Sequence, residues 1–236
     1  MGVIPGIEFN TFSITGRCAR TGMLGIAITT SDISVGARCP FVKSLVGAVA
    51  TQASTDPNLG IFALKLMEQG YSASGALKQL EISDPHIERR QLGLVDRNGN
   101  SAARSGSMNN EWSGHIAGPN HVAMGNGLVG EGVAQAMSKL FLDNLELDLE
   151  ERLLRALEAG LEAGGEAKDA TPHHSSGLLV HGSDPFSRVD LRVDEHPTPV
   201  AELRRILDIL TPRIEYFALR AGDPVAAQAA KDAAGT

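Results

Sequence analysis

Hydrophobic positions recur along the chain with two different periods, and the switch between them divides it into elements. Thr11 to Cys18 is a short β-prone run, and Met23 to Thr30 alternates Leu and Ile with Gly, Ala and Thr. That is the period of a strand, and Arg20-Thr21-Gly22 between the two reads as the turn of a hairpin. After a break at Pro40, Val46 to Thr51 is small and almost wholly apolar, as in a strand covered on both faces. Three strands are thus expected before any helix. The spacing becomes helical from Leu59 to Gln69, opened by Asp56 as N-cap with Pro57 in the first turn and closed by Gly70. Ser72 caps a second helix reaching about Ile82. Gln91 to Val95 and the stretch from Ser101 flank Arg97-Asn98-Gly99, whose Asn-Gly pair signals a hairpin.

A further strand is expected at His121 to Met124, followed by amphipathic helices at Glu131 to Leu142 and Leu149 to Ala163 with an acidic turn between them. Gly177 to Val180 and Val189 to Val193 read as late strands. Pro199 opens a helix through Leu210, with Arg204, Arg205 and Asp208 outward. Helices therefore come in pairs between blocks of antiparallel strands instead of alternating with parallel ones. This pattern predicts an α+β fold, a four-layer αββα sandwich, over a doubly wound sheet.

The length of 236 residues suits one large domain, placed at residues 11–220 between a ten-residue extension and an alanine-rich tail at 221–236 that is expected to fray. A net charge of -7, from 28 acidic against 21 basic residues, offers no basic tract for a phosphate backbone, so nucleic acid is not an expected partner. No apolar run approaches the roughly 20 residues that span a bilayer, and Met1 to Asn10 has neither the basic start nor the apolar core of a secretory signal. Two cysteines, Cys18 and Cys39, make no disulfide scaffold and read as buried structural thiols. A cytoplasmic protein without membrane contact is expected.

The candidate chemistry begins at Thr11. Period-2 alternation places the hydroxyls of Thr11, Ser13 and Thr15 on one face of the first strand, either as a polar inner face or as a catalytic one. A threonine at a chain terminus can use its own α-amine, with a pKa near 8, to take the hydroxyl proton. For Thr11 this requires removal of Met1 to Asn10, by attack of its hydroxyl on the Asn10 carbonyl, by a peptidase, or through a different start site. Gly125-Asn126-Gly127-Leu128-Val129-Gly130 matches G-x-G-x-x-G, but a helix stands where a dinucleotide fold needs its second strand. The loop is instead a candidate wall of the site, with Asn126 or a loop N–H donating to an oxyanion. Gln52, Ser54, Asp56 and Asn58 form a polar run that can line a pocket mouth, Asp56 equally as a helix cap. His173 and His174 point to opposite faces of an extended segment, which opposes joint metal ligation and leaves them near a site loop. Asp190, Asp194 and His196 read as a bend held by side-chain hydrogen bonds before Pro197. No metal and no cofactor are expected.

Thr11-Phe12-Ser13-Ile14, Gly47-Ala48-Val49-Ala50-Thr51-Gln52, Gly125-Asn126 and Asp190-Leu191-Arg192-Val193-Asp194 follow one another in an order that resembles the family called domain of unknown function 1028. The resemblance covers about Thr11 to Leu210, and Asp190 to Leu207 is its most specific stretch. It implies an N-terminal-nucleophile (Ntn) hydrolase-like fold. In that family the Thr-Phe-Ser strand commonly follows the initiator methionine directly, whereas ten residues precede it here. In the wider superfamily, proteasome-type subunits place an aspartate after the second strand and a lysine at the next, and Asp32 and Lys43 stand in similar positions. Such a lysine would lower the pKa of the amine.

The expectation that follows is a homodimeric hydrolase of an amide-type C–N bond in a small molecule or short peptide. Thr11, Asn126, Lys43 and Asp32 are its catalytic candidates, and Ser13, Gln52, Ser54, Asp56, Gly125 and His174 bind substrate. Two other readings stand beside it: an inactive binding or scaffold protein that keeps residues 1–10, and a nucleotide site at Gly125 to Gly130.

Overall fold

A computed structural model describes residues 10–165 and 172–234, so of the expected leader Met1 to Asn10 only Asn10 lies within it. The first strands are β1 (Thr11–Arg17), β2 (Leu24–Thr30), β3 (Pro40–Lys43), β4 (Gly47–Ala53), β5 (Arg90–Asp96) and β6 (Ser101–Ser105). They are followed by β7 (Gly114–Gly118), β8 (His121–Asn126), β9 (Ser175–His181) and β10 (Ser187–Val193). The helices are α1 (Pro57–Glu68), α2 (Ala73–Ser83), α3 (Gly132–Asp143), α4 (Leu149–Gly160), α5 (Pro199–Leu210), α6 (Ile214–Gly222) and α7 (Pro224–Ala234). The segment expected to fray therefore carries a helix of its own.

The strands form two antiparallel sheets. One has the order β10-β9-β2-β1-β8-β7 and the other β3-β4-β5-β6. Phe12 and Ile14 of β1 bury against Met137, Phe141, Leu153 and Leu157 of α3 and α4, while Leu203 and Leu207 of α5 close the same layer. Val49, Leu92 and Leu94 of the second sheet bury against Leu59, Ala63, Leu77 and Leu80 of α1 and α2. Ile26, Ile28, Ala48, Ala50, Val122 and Met124 fill the space between the sheets. The fold is a four-layer αββα sandwich, as the pairing of helices and the blocks of strands imply. Among the described residues no helix is long and apolar enough to cross a membrane.

Short-range signals formed as read. Asp56 accepts the Asn58 N–H at 2.9 Å and caps α1, and Ser72 accepts the Gly75 N–H at 3.2 Å and caps α2. Gly99 turns the β5–β6 hairpin with φ 84°, a conformation open to glycine. Gly16 and Gly25 face each other in register, and a Cβ on Gly16 would lie 2.5 Å from the Phe141 ring, so the pair seats α3 and α4 close to the sheet.

Two strands escaped the sequence reading. Pro40 does not end a strand but begins β3, an edge strand whose first residue needs no ladder N–H. β7, Gly-His-Ile-Ala-Gly, has little β propensity of its own and is held as an edge by β8. Arg204 is also not simply outward: its guanidinium reaches Glu158 at 2.8 Å and Glu151 at 2.6 Å on α4.

Asp96, 3% exposed, ties the hairpin to α2. Its carboxylate accepts the N–H groups of Asn98, Asn100 and Ala73 at 2.9, 3.0 and 3.1 Å. Replacing it with alanine strands the buried Ala73 N–H and removes two half-buried turn bonds, so Asp96→Ala is expected to lower the unfolding free energy by about 2–4 kcal/mol in urea titration.

Candidate active site

Thr11 opens β1 in the middle of its sheet, opposite Thr30 of β2 on one side and Asn126 of β8 on the other. Alternation along β1 turns Thr11, Ser13 and Thr15 toward the second sheet, on the same face as Ile26 and Ile28, and all three are buried. The hydroxyl face is thus an internal one.

At the end of this face the hydroxyls form a short relay. Thr11 Oγ1 lies 2.8 Å from Thr30 Oγ1, which donates to the Asn10 carbonyl at 2.9 Å. A hydroxyl has one proton, so with that of Thr30 committed to Asn10, the Thr11 hydroxyl is the donor to Thr30. The Ser31 N–H also donates to the Asn10 carbonyl, at 3.1 Å, and the Asn10 N–H donates to Ser31 Oγ at 3.0 Å. The carbonyl that precedes Thr11 therefore has two donors, in a setting where Asn10 is 2% exposed. Neither Thr30 nor Ser31 was singled out from the sequence, because their role comes from the β1–β2 register.

Beyond Thr11 the face continues as a chain of amides linking the sheets. Ser13 Oγ donates to Gln52 Oε1 at 2.7 Å, and Gln52 Nε2 donates to Gln91 Oε1 at 2.6 Å. Asn126 Nδ2 donates to the same Gln91 oxygen at 3.0 Å, while Gln91 Nε2 donates to the Gly125 carbonyl and to Ser105 Oγ, each at 2.8 Å. Ser13, Gln52, Gly125 and Asn126 are thus brought together, and the residue joining them is Gln91, which the sequence reading passed over. Its only local sign was a polar residue at the start of an apolar strand.

Asp32, Ser54 and Asn126 line one cleft of about 690 Å³ together with Arg38, Arg89 and Arg90. His174 stands beside the first sheet's end, its N–H donating to the Thr30 carbonyl at 2.9 Å and its ring 3.4 Å from Glu195. Three expectations need correction. Lys43 does not approach Thr11: it pairs with Gly47 at the far end of the β3–β4 hairpin, five residues or about 17 Å along β4 from Gln52. Its ammonium is bonded to Glu68 at 2.6 Å. Asp56 is occupied as the cap of α1 and is not among the residues lining the cleft. The glycine loop cannot cradle phosphate or an oxyanion through its first amides, because the N–H groups of Gly127 and Leu128 donate to Asn110 and Trp112 at 3.0 and 3.1 Å. With β8 antiparallel to both neighbours, the dinucleotide reading loses its parallel unit as well.

The two histidines separate as alternation requires. His173 is fully buried, 2.9 Å from Thr29 Oγ1 and packed on the Phe12 ring at 5.1 Å. Burial pushes its pKa down to about 3. In the unfolded chain it titrates near 6.5, so below that pH the unfolded state binds a proton that the folded state refuses. The stability it contributes is present above pH ~6.5 and lost as pH falls toward about 3. His173→Gln is expected to flatten the pH dependence of unfolding below pH ~6.5 by up to about 1.4 kcal/mol per pH unit. Paired denaturant titrations of the two proteins between pH 7 and 5 check it. Cys39 is held as an inert thiol, burial raising its pKa to about 12. His196 accepts the Thr198 N–H at 3.0 Å and so serves the bend, whereas Asp190 lies within β10, where it pairs with Arg192 at 2.9 Å and takes no part in it. Among the described residues no group of three His, Cys, Asp or Glu side chains is placed to hold a metal ion.

The crystal structure of protein SPO2555 from Silicibacter pomeroyi, a DUF1028 protein, is similar at 31% identity and a TM-score of 0.78, covering 86% of this chain and 89% of that one. Anbu, the ancestral beta-subunit from Yersinia bercovieri, overlaps 88% of this chain and 96% of its own at 10% identity and a TM-score of 0.40. Among curated proteins none matches. The model of the family of unknown function DUF1028 matches residues 11–203, beginning at the threonine that opens β1. The chain belongs to the DUF1028 family.

Proposed function

We propose that this protein hydrolyses an amide-type C–N bond in a small molecule or short peptide, using Thr11 as nucleophile after the Asn10–Thr11 bond is cut. The observation that carries this reading is the doubly donated Asn10 carbonyl next to the Thr11 hydroxyl. Donors on a carbonyl hold the negative charge that develops when its carbon is attacked. Attack by Thr11 Oγ1 on the Asn10 carbonyl carbon forms an ester and breaks the Asn10–Thr11 C–N bond, the hydroxyl proton passing to the departing nitrogen, which becomes the free α-amine of Thr11. Water then cleaves the ester and leaves an Asn10 carboxylate and a free Thr11.

In turnover the amine of Thr11 takes the hydroxyl proton as Oγ1 attacks the substrate carbonyl, and it returns that proton to the departing amine. Asn126 lies opposite Thr11 in register, and its Nδ2 has a second N–H beyond the one given to Gln91. That N–H is the proposed oxyanion donor. Thr30 orients the hydroxyl.

A second reading is favoured by the same contacts in another light. Both backbone groups of Asn10 are bonded within the fold, which would also anchor a permanently retained extension of a binding protein. The mass of the natively expressed protein decides between them. A chain beginning at Thr11 is expected, and an active protein with an intact Asn10–Thr11 bond rules the mechanism out.

A further inference from the structure

The cleft lined by Asn126, the register partner of Thr11, has a charge that the rest of the chain does not. The protein carries a net charge of -7, yet three arginines line this opening against one carboxylate, Asp32. They are not equivalent. Arg90 is part of the wall: its Nε donates to Asp84 at 2.8 Å and its guanidinium also bonds the Ser54 carbonyl. Arg38 and Arg89 form no ion pair and no side-chain hydrogen bond among the described residues, whereas Arg104, Arg188 and Arg204 are each held by two or more carboxylates. The one acid at the rim, Asp32, forms no ion pair with either of them; its Oδ1 accepts the N–H of Ile33 at 2.8 Å in its own turn, and two guanidiniums outnumber its single charge.

Topology sets the two free guanidiniums on either side of one strand end. Arg38 precedes β3 and Arg89 precedes β5, and both of these strands flank β4, whose last residue, Ala53, lies in the cleft. Their backbones are anchored: the Arg38 N–H donates to Val35 at 3.1 Å, and the Arg89 N–H donates to His86 at 2.9 Å. Asn126, the proposed oxyanion donor, is also part of the cleft wall.

We infer that the substrate carries a carboxylate near its scissile amide, as an N-acyl amino acid does, and that Arg38 and Arg89 grip it while the carbonyl faces Thr11 and Asn126. The identity of the bond that is cut rests on the proposed role of Thr11; the anion site does not. A guanidinium presents a planar fork of N–H donors that matches a carboxylate, and a pair of them fixes orientation as well as charge. Ser54 and Asn110 supply neutral hydrogen-bonding groups around them.

The experiment compares N-acetyl-L-alanine with its uncharged analogue N-acetyl-L-alaninamide, by ligand-observed NMR titration of the full chain. The acid is expected to bind about fivefold or more tightly, with a preference that weakens as salt is raised. Arg38→Gln with Arg89→Gln should abolish the preference. Arg97→Gln should leave it, because Arg97 lies at the opposite end of β4, where its N–H bonds Val46, and its loss changes net charge without touching the cleft. Equal binding of acid and amide, no binding of the acid, or a preference that survives the double substitution overturns the inference. Because the readout is binding, a chain that retains Asn10 and hydrolyses nothing still shows the preference if the arginines are an anion site. A processed and active enzyme without the preference refutes the anion site alone.

Discussion

Thr11→Ala is expected to give a protein that keeps residues 1–10 attached and that has lost amide hydrolysis by about 10³-fold or more. The methyl group of alanine cannot attack either the Asn10 carbonyl or a substrate, so one substitution removes both reactions. Unfolding does not explain such a loss. The substitution deletes one hydrogen bond, from Thr11 to Thr30, while Thr30 and Ser31 keep their bonds to the Asn10 carbonyl. The net cost of one such bond is about 1 kcal/mol, which moves the midpoint of a domain this size by a few degrees. Thr11→Ser keeps a hydroxyl at the same place and should restore processing. The checks are intact-protein mass, thermal melting and turnover on one set of preparations. Turnover by Thr11→Ala at the wild-type rate sinks the nucleophile.

Gln91→Leu is expected to cost about 3–5 kcal/mol, a drop of roughly 10 °C in melting temperature. The leucine has nearly the same volume, so the loss comes from hydrogen bonding and not from a cavity. Gln91 is fully buried, and its oxygen accepts from Gln52 and Asn126 while its amide donates to Ser105 and to the Gly114 and Gly125 carbonyls. Leucine leaves the buried Gln52 and Asn126 amides without this acceptor in a region of low dielectric, where an unmet donor is most costly, although Ser105 keeps its contact with His115. Activity should fall further than stability does, since Asn126 loses the contact that holds its amide in place. Denaturant unfolding checks the first part, and a loss below about 1 kcal/mol would show the network to be slack.

What was legible beforehand was local. The alternation of Thr11, Ser13 and Thr15, the Asp56-Pro57 and Ser72 helix starts, and the Asn98-Gly99 turn each depend on residues within one turn of chain, so their patterns appear directly in the sequence. Paired amphipathic helices between blocks of strands were sufficient for the layer order, because each apolar face has to be covered by another element. β3 and β7 were invisible because edge strands take their conformation from a neighbour and need little propensity of their own. Lys43 illustrates the opposite error: one residue's place along a strand decides which end of the sandwich its charge reaches, and superfamily position did not carry over.

The site itself was half legible. Thr11, Gln52 and Asn126 were recognisable from residue type and placement, but their association required strands 39 or more residues apart to meet across a layer, as the Ser13–Gln52 bond does. Thr30, Ser31 and Gln91 were beyond reach of the sequence for that reason, since an ordinary polar residue in a strand has no mark until its cross-strand partner is known. Residue patterns along the chain were enough for most of the elements, for the layering and for a hydroxyl-bearing first strand. That the Asn10 carbonyl sits between two donors and that Arg38 and Arg89 flank one strand end follows from the folded arrangement alone, because register and sheet packing bring together groups that chain order keeps apart.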